Sequence, residues 1–137
     1  MQAASDLLLD HVTACGQRIL LVDDEEDLRE TLADLLGHVG YRVTTADSGA
    51  SAVAAARTHG FDLLLTDLRM PGMDGAETLT AIKQIDPAIR VIVVTGYSSE
   101  EVAADCRRRG ADEIVPKPFD IQELLRVMAR VVRSRGA

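Results

Sequence analysis

The sequence predicts an open α/β sandwich: a doubly wound, five-stranded parallel sheet with helices on both faces. Two observations predict it. Five short apolar runs alternate along the chain with five segments whose apolar residues recur at helical spacing. Each apolar run ends abruptly in carboxylates, hydroxyls or turn residues, the mark of a strand buried on both faces that stops at a rim. Crossovers between parallel strands are right-handed almost without exception, so this order of elements allows few topologies.

The elements follow in order. Residues 1–17 are a mixed leader. Leu7, Leu8 and Leu9 fit a helical turn docked on the domain, but a tail is the simpler reading. Arg18 to Val22 is the first strand, and five carboxylates follow it, Asp23 to Asp27. Leu28, Leu32, Leu35, Leu36 and Val39 then mark an amphipathic helix that starts inside the acidic run and ends at Gly40. Tyr41 to Thr45 is the second strand, Asp47 to Gly49 a turn, and Ala50 to Thr58 an alanine-rich helix closed by His59 and Gly60. Phe61 to Leu65 is the third strand, ending in Thr66 and Asp67 and followed by the turn-prone Met70 to Gly75. Ala76, Leu79, Ile82 and Ile85 mark a third helix, stopped by Asp86 and Pro87. Arg90 to Val94 is the fourth strand and ends at Thr95 and Gly96. Ser98 or Ser99 caps the fourth helix, with Glu100 and Glu101 where the helix dipole favours acids. Gly110 ends it. Glu113 to Val115 is a short fifth strand, followed by Pro116, Lys117 and Pro118, with Lys117-Pro118 a candidate cis peptide. Asp120 caps a last helix carrying Ile121, Leu124, Leu125, Met128 and Val131.

A chain of 137 residues, 47% hydrophobic, suits one domain over 18–135 with a single core. The net charge of −7 argues against nucleic acid as a direct partner. Charge is unevenly placed. From Cys106 to Ala137 eight Lys/Arg face four acids, a net +4, which leaves −11 for the rest. An acidic body with a basic end fits either a protein-binding face or a solvated helix surface. Cys15 and Cys106 lack metal-ligand spacing and are too few for a disulfide scaffold, so they are expected as thiols in a reducing compartment. No apolar run reaches the roughly 18 residues of a membrane span, and no signal-peptide pattern appears, so the expected location is cytoplasmic. His11, His38 and His59 are scattered and receive no role.

The carboxyl ends of parallel strands share one edge, where ligands bind in open sheets. Asp23 and Asp24 follow the first strand, Asp67 ends the third, Thr95 the fourth, and Lys117 follows the fifth. If strands one and three are neighbours, three carboxylates crowd together and raise one another's pKa. A divalent cation relieves that, and all-oxygen ligation suits Mg²⁺. Lys117 offers a point charge for a phosphoryl oxygen and Thr95 a hydroxyl donor. The chemistry implied is phosphoryl transfer to a carboxylate nucleophile, Asp67. Glu25, Glu26 and Asp27 are better read as first-turn acids.

Four stretches together resemble the receiver domain of bacterial two-component response regulators. They are Ile19 to Asp24, Asp67 to Gly75, Val93 to Gly96, and Gly110 to Phe119. The resemblance implies a flavodoxin-like sheet of order 2-1-3-4-5. It implies that Asp67 accepts a phosphoryl group from a sensor histidine kinase or a histidine phosphotransfer protein. Asp24, Asp67 and the backbone carbonyl of Arg69 would bind Mg²⁺, and Asp23 would act through a bound water. Thr95 and Lys117 would hold phosphoryl oxygens. Thr95 would then move inward and shift the face of helix four, strand five and helix five, which would meet a downstream protein or output domain and offers a surface for a homodimer. Such a domain is a switch rather than a turnover enzyme. One position departs from the pattern. Many receivers have an aromatic residue three before the lysine, where this chain has Ile114. Arg69 and Tyr97, two residues after Asp67 and Thr95, are bulky enough to hinder a hydrolytic water.

Two other classes compete. A Mg²⁺-dependent phosphohydrolase of the haloacid-dehalogenase type also uses a strand-end aspartate, but needs a general acid two residues later, where Arg69 stands. A receiver-like adaptor that is never phosphorylated has no need of Asp23, Asp24, Asp67, Thr95 and Lys117 together. The chain ending at Ala137 suits a stand-alone regulator, a phosphorelay intermediate or a piece of a longer protein.

Overall fold

The computed structural model describes residues 16–96 and 99–134. Among them strands and helices alternate: β1 (Arg18–Val22), α1 (Glu26–His38), β2 (Arg42–Ala46), α2 (Gly49–Thr58), β3 (Leu63–Asp67), α3 (Gly75–Ile85), β4 (Arg90–Thr95), α4 (Glu100–Arg109), β5 (Glu113–Pro116) and α5 (Ile121–Ser134). The strands form one parallel sheet of order β2-β1-β3-β4-β5. β1 and β3 are therefore neighbours, in register from Ile19 opposite Leu63 to Val22 opposite Thr66.

The continuous apolar runs follow from burial on both faces. Ile19, Leu21, Leu63, Leu65 and Ile92 pack with α1 and α5, against Leu36, Leu125 and Met128. Leu20, Val22, Leu64, Val91 and Val93 point the other way, onto Leu79, Ile82 and Cys106 of α3 and α4. The period-2 alternation of side chains thus fills two cores from one set of strands. β2 is an edge strand, and its Thr44 and Thr45 are exposed.

The helix ends carry local reasons. Ser48 and Ser51 form a capping box that draws Gly49 into α2, one residue earlier than the predicted start. Asp74 and Glu77 form another at α3. Of the two candidate serines at α4, Ser99 is the cap, its hydroxyl accepting the Val102 N–H at 3.1 Å. Asp120 Oδ1 accepts the Gln122 N–H at 3.0 Å as α5 opens. The second strand begins at Arg42 rather than Tyr41. Tyr41 is 5% exposed and its N–H donates to the Leu36 carbonyl at 3.1 Å, so it closes α1 and joins the core. Lys117-Pro118 is cis. The expectations for Leu7 to Leu9, His11 and Cys15 lie outside the described residues, while Gly16 and Gln17 already hydrogen-bond to Gly40 and Arg42. No described helix is long and apolar enough to cross a membrane.

Candidate functional site

The carboxyl edge of the sheet gathers the predicted residues. β1 delivers Asp23 and Asp24, and β3 delivers Asp67 from the adjacent strand. Oxygens from the three carboxylates lie within 4.8 Å of one another. Asp23 is buried, Asp67 is half-buried and Asp24 is exposed. Lys117 reaches in from the loop after β5, its Nζ donating to Asp67 Oδ2 at 3.1 Å and lying 3.9 Å from Asp23 Oδ2. The Lys117 N–H donates to the Thr95 carbonyl at 2.8 Å, which anchors the lysine backbone to the end of β4. Thr95 is 2% exposed and follows Val94, the residue opposite Asp67 in the sheet register.

Asp23 is held on two sides. Its Oδ1 accepts the Glu25 N–H at 2.8 Å, and its carbonyl accepts from the Arg29 guanidinium at 2.9 Å. Burial pushes the Asp23 carboxyl above its usual range, the Glu25 N–H opposes that, and the neighbouring Asp67 charge adds to it. The sequence showed the acids but not these two supports. Arg29, the first cation after the acidic run, was the available signal.

The loop after Asp67 is fixed at both ends. The Leu68 N–H donates to Val94 at 3.0 Å, and the Gly75 N–H donates back to Leu68 at 2.7 Å. A side chain at Gly75 would strike the Asp67 carbonyl and come within 2.7 Å of Leu68 Cα. Close backbone approach thus explains this glycine, whose importance the sequence reading passed over. Arg69 lies between the two anchors with its side chain exposed. Ile114 is half-buried and packs with the cluster that also takes Val102 of α4. Tyr97 lies outside the described residues.

The basic end is partly neutralised. Arg130 pairs with Glu113 at 2.9 Å, and Arg109 with Asp105 at 2.9 Å. Arg107 and Arg126 remain exposed without an ionic partner among the described residues. Three carboxylates around one ammonium leave the cluster at about −2 when all are ionised. All-oxygen donors, one of them a buried carboxylate, fit a hard divalent cation such as Mg²⁺.

Residues 19–129 match the family model of the response regulator receiver domain. The chain belongs to that family. A receiver is a signalling module of two-component systems, in which histidine kinases and output domains are the partners. This receiver is 39% identical over 109 residues to a response regulator receiver protein of Anaeromyxobacter, covering 80% of the chain and 46% of that protein. It is 38% identical over 114 residues to the DNA-binding transcriptional regulator NtrC of Escherichia coli, covering 83% of the chain but 24% of the relative. The receiver thus spans under half the length of these curated relatives. Among solved structures, a CheY-like receiver domain from Methanospirillum hungatei superposes with a TM-score of 0.85 at 30% identity, covering 88% of this chain and 97% of that one.

Proposed function

We propose that Asp67 is the phosphoryl acceptor of this receiver, and that 18–135 is the receiver unit with 1–17 as its leader. The observation that carries the reading is Asp67 itself, half-buried at a strand end, beside two further carboxylates and 3.1 Å from the Lys117 ammonium. A phosphohistidine on a kinase or phosphotransfer protein is the donor. An Asp67 carboxylate oxygen bonds to phosphorus as the P–N bond breaks, and the histidine leaves with its electron pair. Asp24, Asp67 and the Arg69 carbonyl would hold Mg²⁺, with Asp23 acting through a bound water, and the ion would supply positive charge to offset the carboxylates as a phosphoryl group approaches.

The chain's own groups do the rest. Lys117 is placed to turn from Asp67 to a phosphoryl oxygen. The Thr95 hydroxyl donates to another, and its inward movement is felt by α4, β5 and α5, the face that meets a target or an output domain and is available to a second copy. Ile114 has no hydroxyl and is stiff at its first torsion, so an aromatic swing is absent from this switch. The chain acts as a switch and not as a turnover enzyme, since Arg69 stands where a hydrolase needs an acid. A kinase-facing switch without a membrane-spanning helix among its described residues belongs in the cytoplasm.

Incubation with Mg²⁺ and acetyl phosphate is expected to add one acid-stable, base-labile phosphate, read by intact mass. Asp67→Asn abolishes it. Label that survives this substitution overturns the assignment, and steady turnover of a phosphomonoester points to a hydrolase instead.

A further inference from the structure

On the side of the molecule away from α1 and α5, a groove of about 680 Å³ opens between the β3–α3 loop and α4. That volume falls in the range of small-molecule sites, roughly 300–1,000 Å³. Its floor is apolar, built from Leu68, Met70, Pro71, Ala76, Val102 and Cys106. Its rim carries Asp74, Glu101 and Asp105, with Arg69 the one cation among its described lining residues. The side chains of Asp23, Asp24, Asp67, Thr95 and Lys117 do not line it; of the residues proposed to bind the metal, Arg69 is shared, and its part there is its backbone carbonyl.

The rim acids differ in how far the fold uses them. Asp105 is held by Arg109 at 2.9 Å and Arg108 at 3.4 Å. Asp74 spends Oδ1 on the Glu77 N–H at the α3 cap. Glu101 is exposed and has no hydrogen-bond or ionic partner among the described residues. It stands one turn from Asp105 on α4, so two carboxylates line the same wall. An acidic wall above an apolar floor complements a ligand with one positive charge and an apolar body. With Asp105 held by its arginines, an anion would have Arg69 as attraction and Asp74 and Glu101 against it, and a wholly apolar ligand would leave Glu101 and the second Asp74 oxygen to be desolvated without a partner.

We propose that this groove binds a small organic cation, an amine or guanidine carried on an apolar arm. The arm lies on Met70, Val102 and Cys106, and the charge meets Glu101.

The test is a titration of the purified chain with 4-phenylbutylamine, followed by ¹H–¹⁵N correlation spectra, with 4-phenylbutanol and 4-phenylbutyrate as neutral and anionic controls. Saturable shifts are expected in Leu68 to Ala76 and Glu101 to Cys106. The amine should bind about tenfold tighter than the carboxylate, the scale of one attractive charge exchanged for a repulsive one near a surface. Glu101→Gln, an exposed change that leaves packing alone, should weaken the amine about two- to fivefold and the alcohol hardly at all. Val102→Phe fills the groove and should abolish the shifts while the rest of the spectrum stays folded. Non-saturating shifts, shifts elsewhere, equal binding of the three probes, or an unchanged Glu101→Gln affinity overturns the proposal. So does the same set of shifts on concentrating the protein alone, which assigns the groove to a second copy of the chain.

Discussion

At the residue scale, Asp23 and Lys117 explain how an acidic cluster is tolerated before any cation arrives. Burial raises the Asp23 pKa in the folded chain above its unfolded value near 3.8. The protonated form is therefore favoured by folding, and that stabilisation is fully present below the unfolded pKa. It is lost as pH rises through the raised folded pKa, and at neutral pH the ionised carboxylate opposes folding. Asp23→Asn is accordingly expected to raise the melting temperature of the metal-free protein at pH 7, with the gain fading toward pH 3. An equal gain at both pH values would separate it from ionisation. Magnesium should act on the same charges. A hundredfold excess over its Kd stabilises by about 2.7 kcal/mol, read as a melting temperature that climbs with the logarithm of its concentration. Asp24→Asn should flatten that dependence. The proposal for Arg69 and Tyr97 is that their bulk shields the phosphoryl group from water. Replacing both with Ala is expected to speed its loss, followed by intact mass after the donor is removed, and an unchanged half-life would clear them of shielding.

At the element scale, the loop between β3 and α3 is built by contact rather than by turn propensity. Gly75 sits against the Asp67 carbonyl, so Gly75→Ala should displace that loop and cost about 1–3 kcal/mol, as overpacking does. Gly60 has open space around it, and Gly60→Ala should be neutral or stabilising by up to about 1 kcal/mol through the unfolded chain. Chemical denaturation of the pair distinguishes a steric need from a general intolerance of alanine. The helix α4 is tied to α3 by Arg109, whose guanidinium donates to Thr80 Oγ1 at 3.1 Å and to the Ala76 carbonyl at 3.4 Å. In its first turn, among the described residues, Ser99 caps the helix and the half-buried Val102 packs inward.

At the scale of the whole molecule, three central strands hold the structure and the edges serve it. β1, β3 and β4 are buried on both faces, while β2 exposes Thr44 and Thr45 and β5 is short and ends in Pro116. Amide exchange is expected to be slowest in β1, β3 and β4 and faster in β2. Comparable protection across all five strands would mean that the edges are held by more than the sheet. The two apolar layers also lie on opposite sides of the strands that carry Asp67 and Thr95. On the proposed reading, a shift at the rim would meet Val102 and Ile114 on the α4 side, a layer separate from Leu36 and Leu125 on the other face.

The sequence by itself determined the alternation of strands and helices, and the positions of Asp23, Asp24, Asp67, Thr95 and Lys117 at strand ends. Those features are local: periodicity, abrupt ends and caps are written within a few residues. Strand order came only through resemblance, because pairing depends on which apolar faces meet and not on either strand alone. The tertiary structure decided what depends on distant residues touching. It put Lys117 on Asp67 across fifty positions, set Arg29 behind Asp23, closed Gly75 onto the Asp67 carbonyl, and moved Tyr41 from a strand into the core. It also opened the groove beside α4, whose floor joins Met70 and Pro71, read in sequence as a turn, to Val102 and Cys106 of α4. Each of these is a matter of packing between elements, and no run of neighbouring residues encodes it.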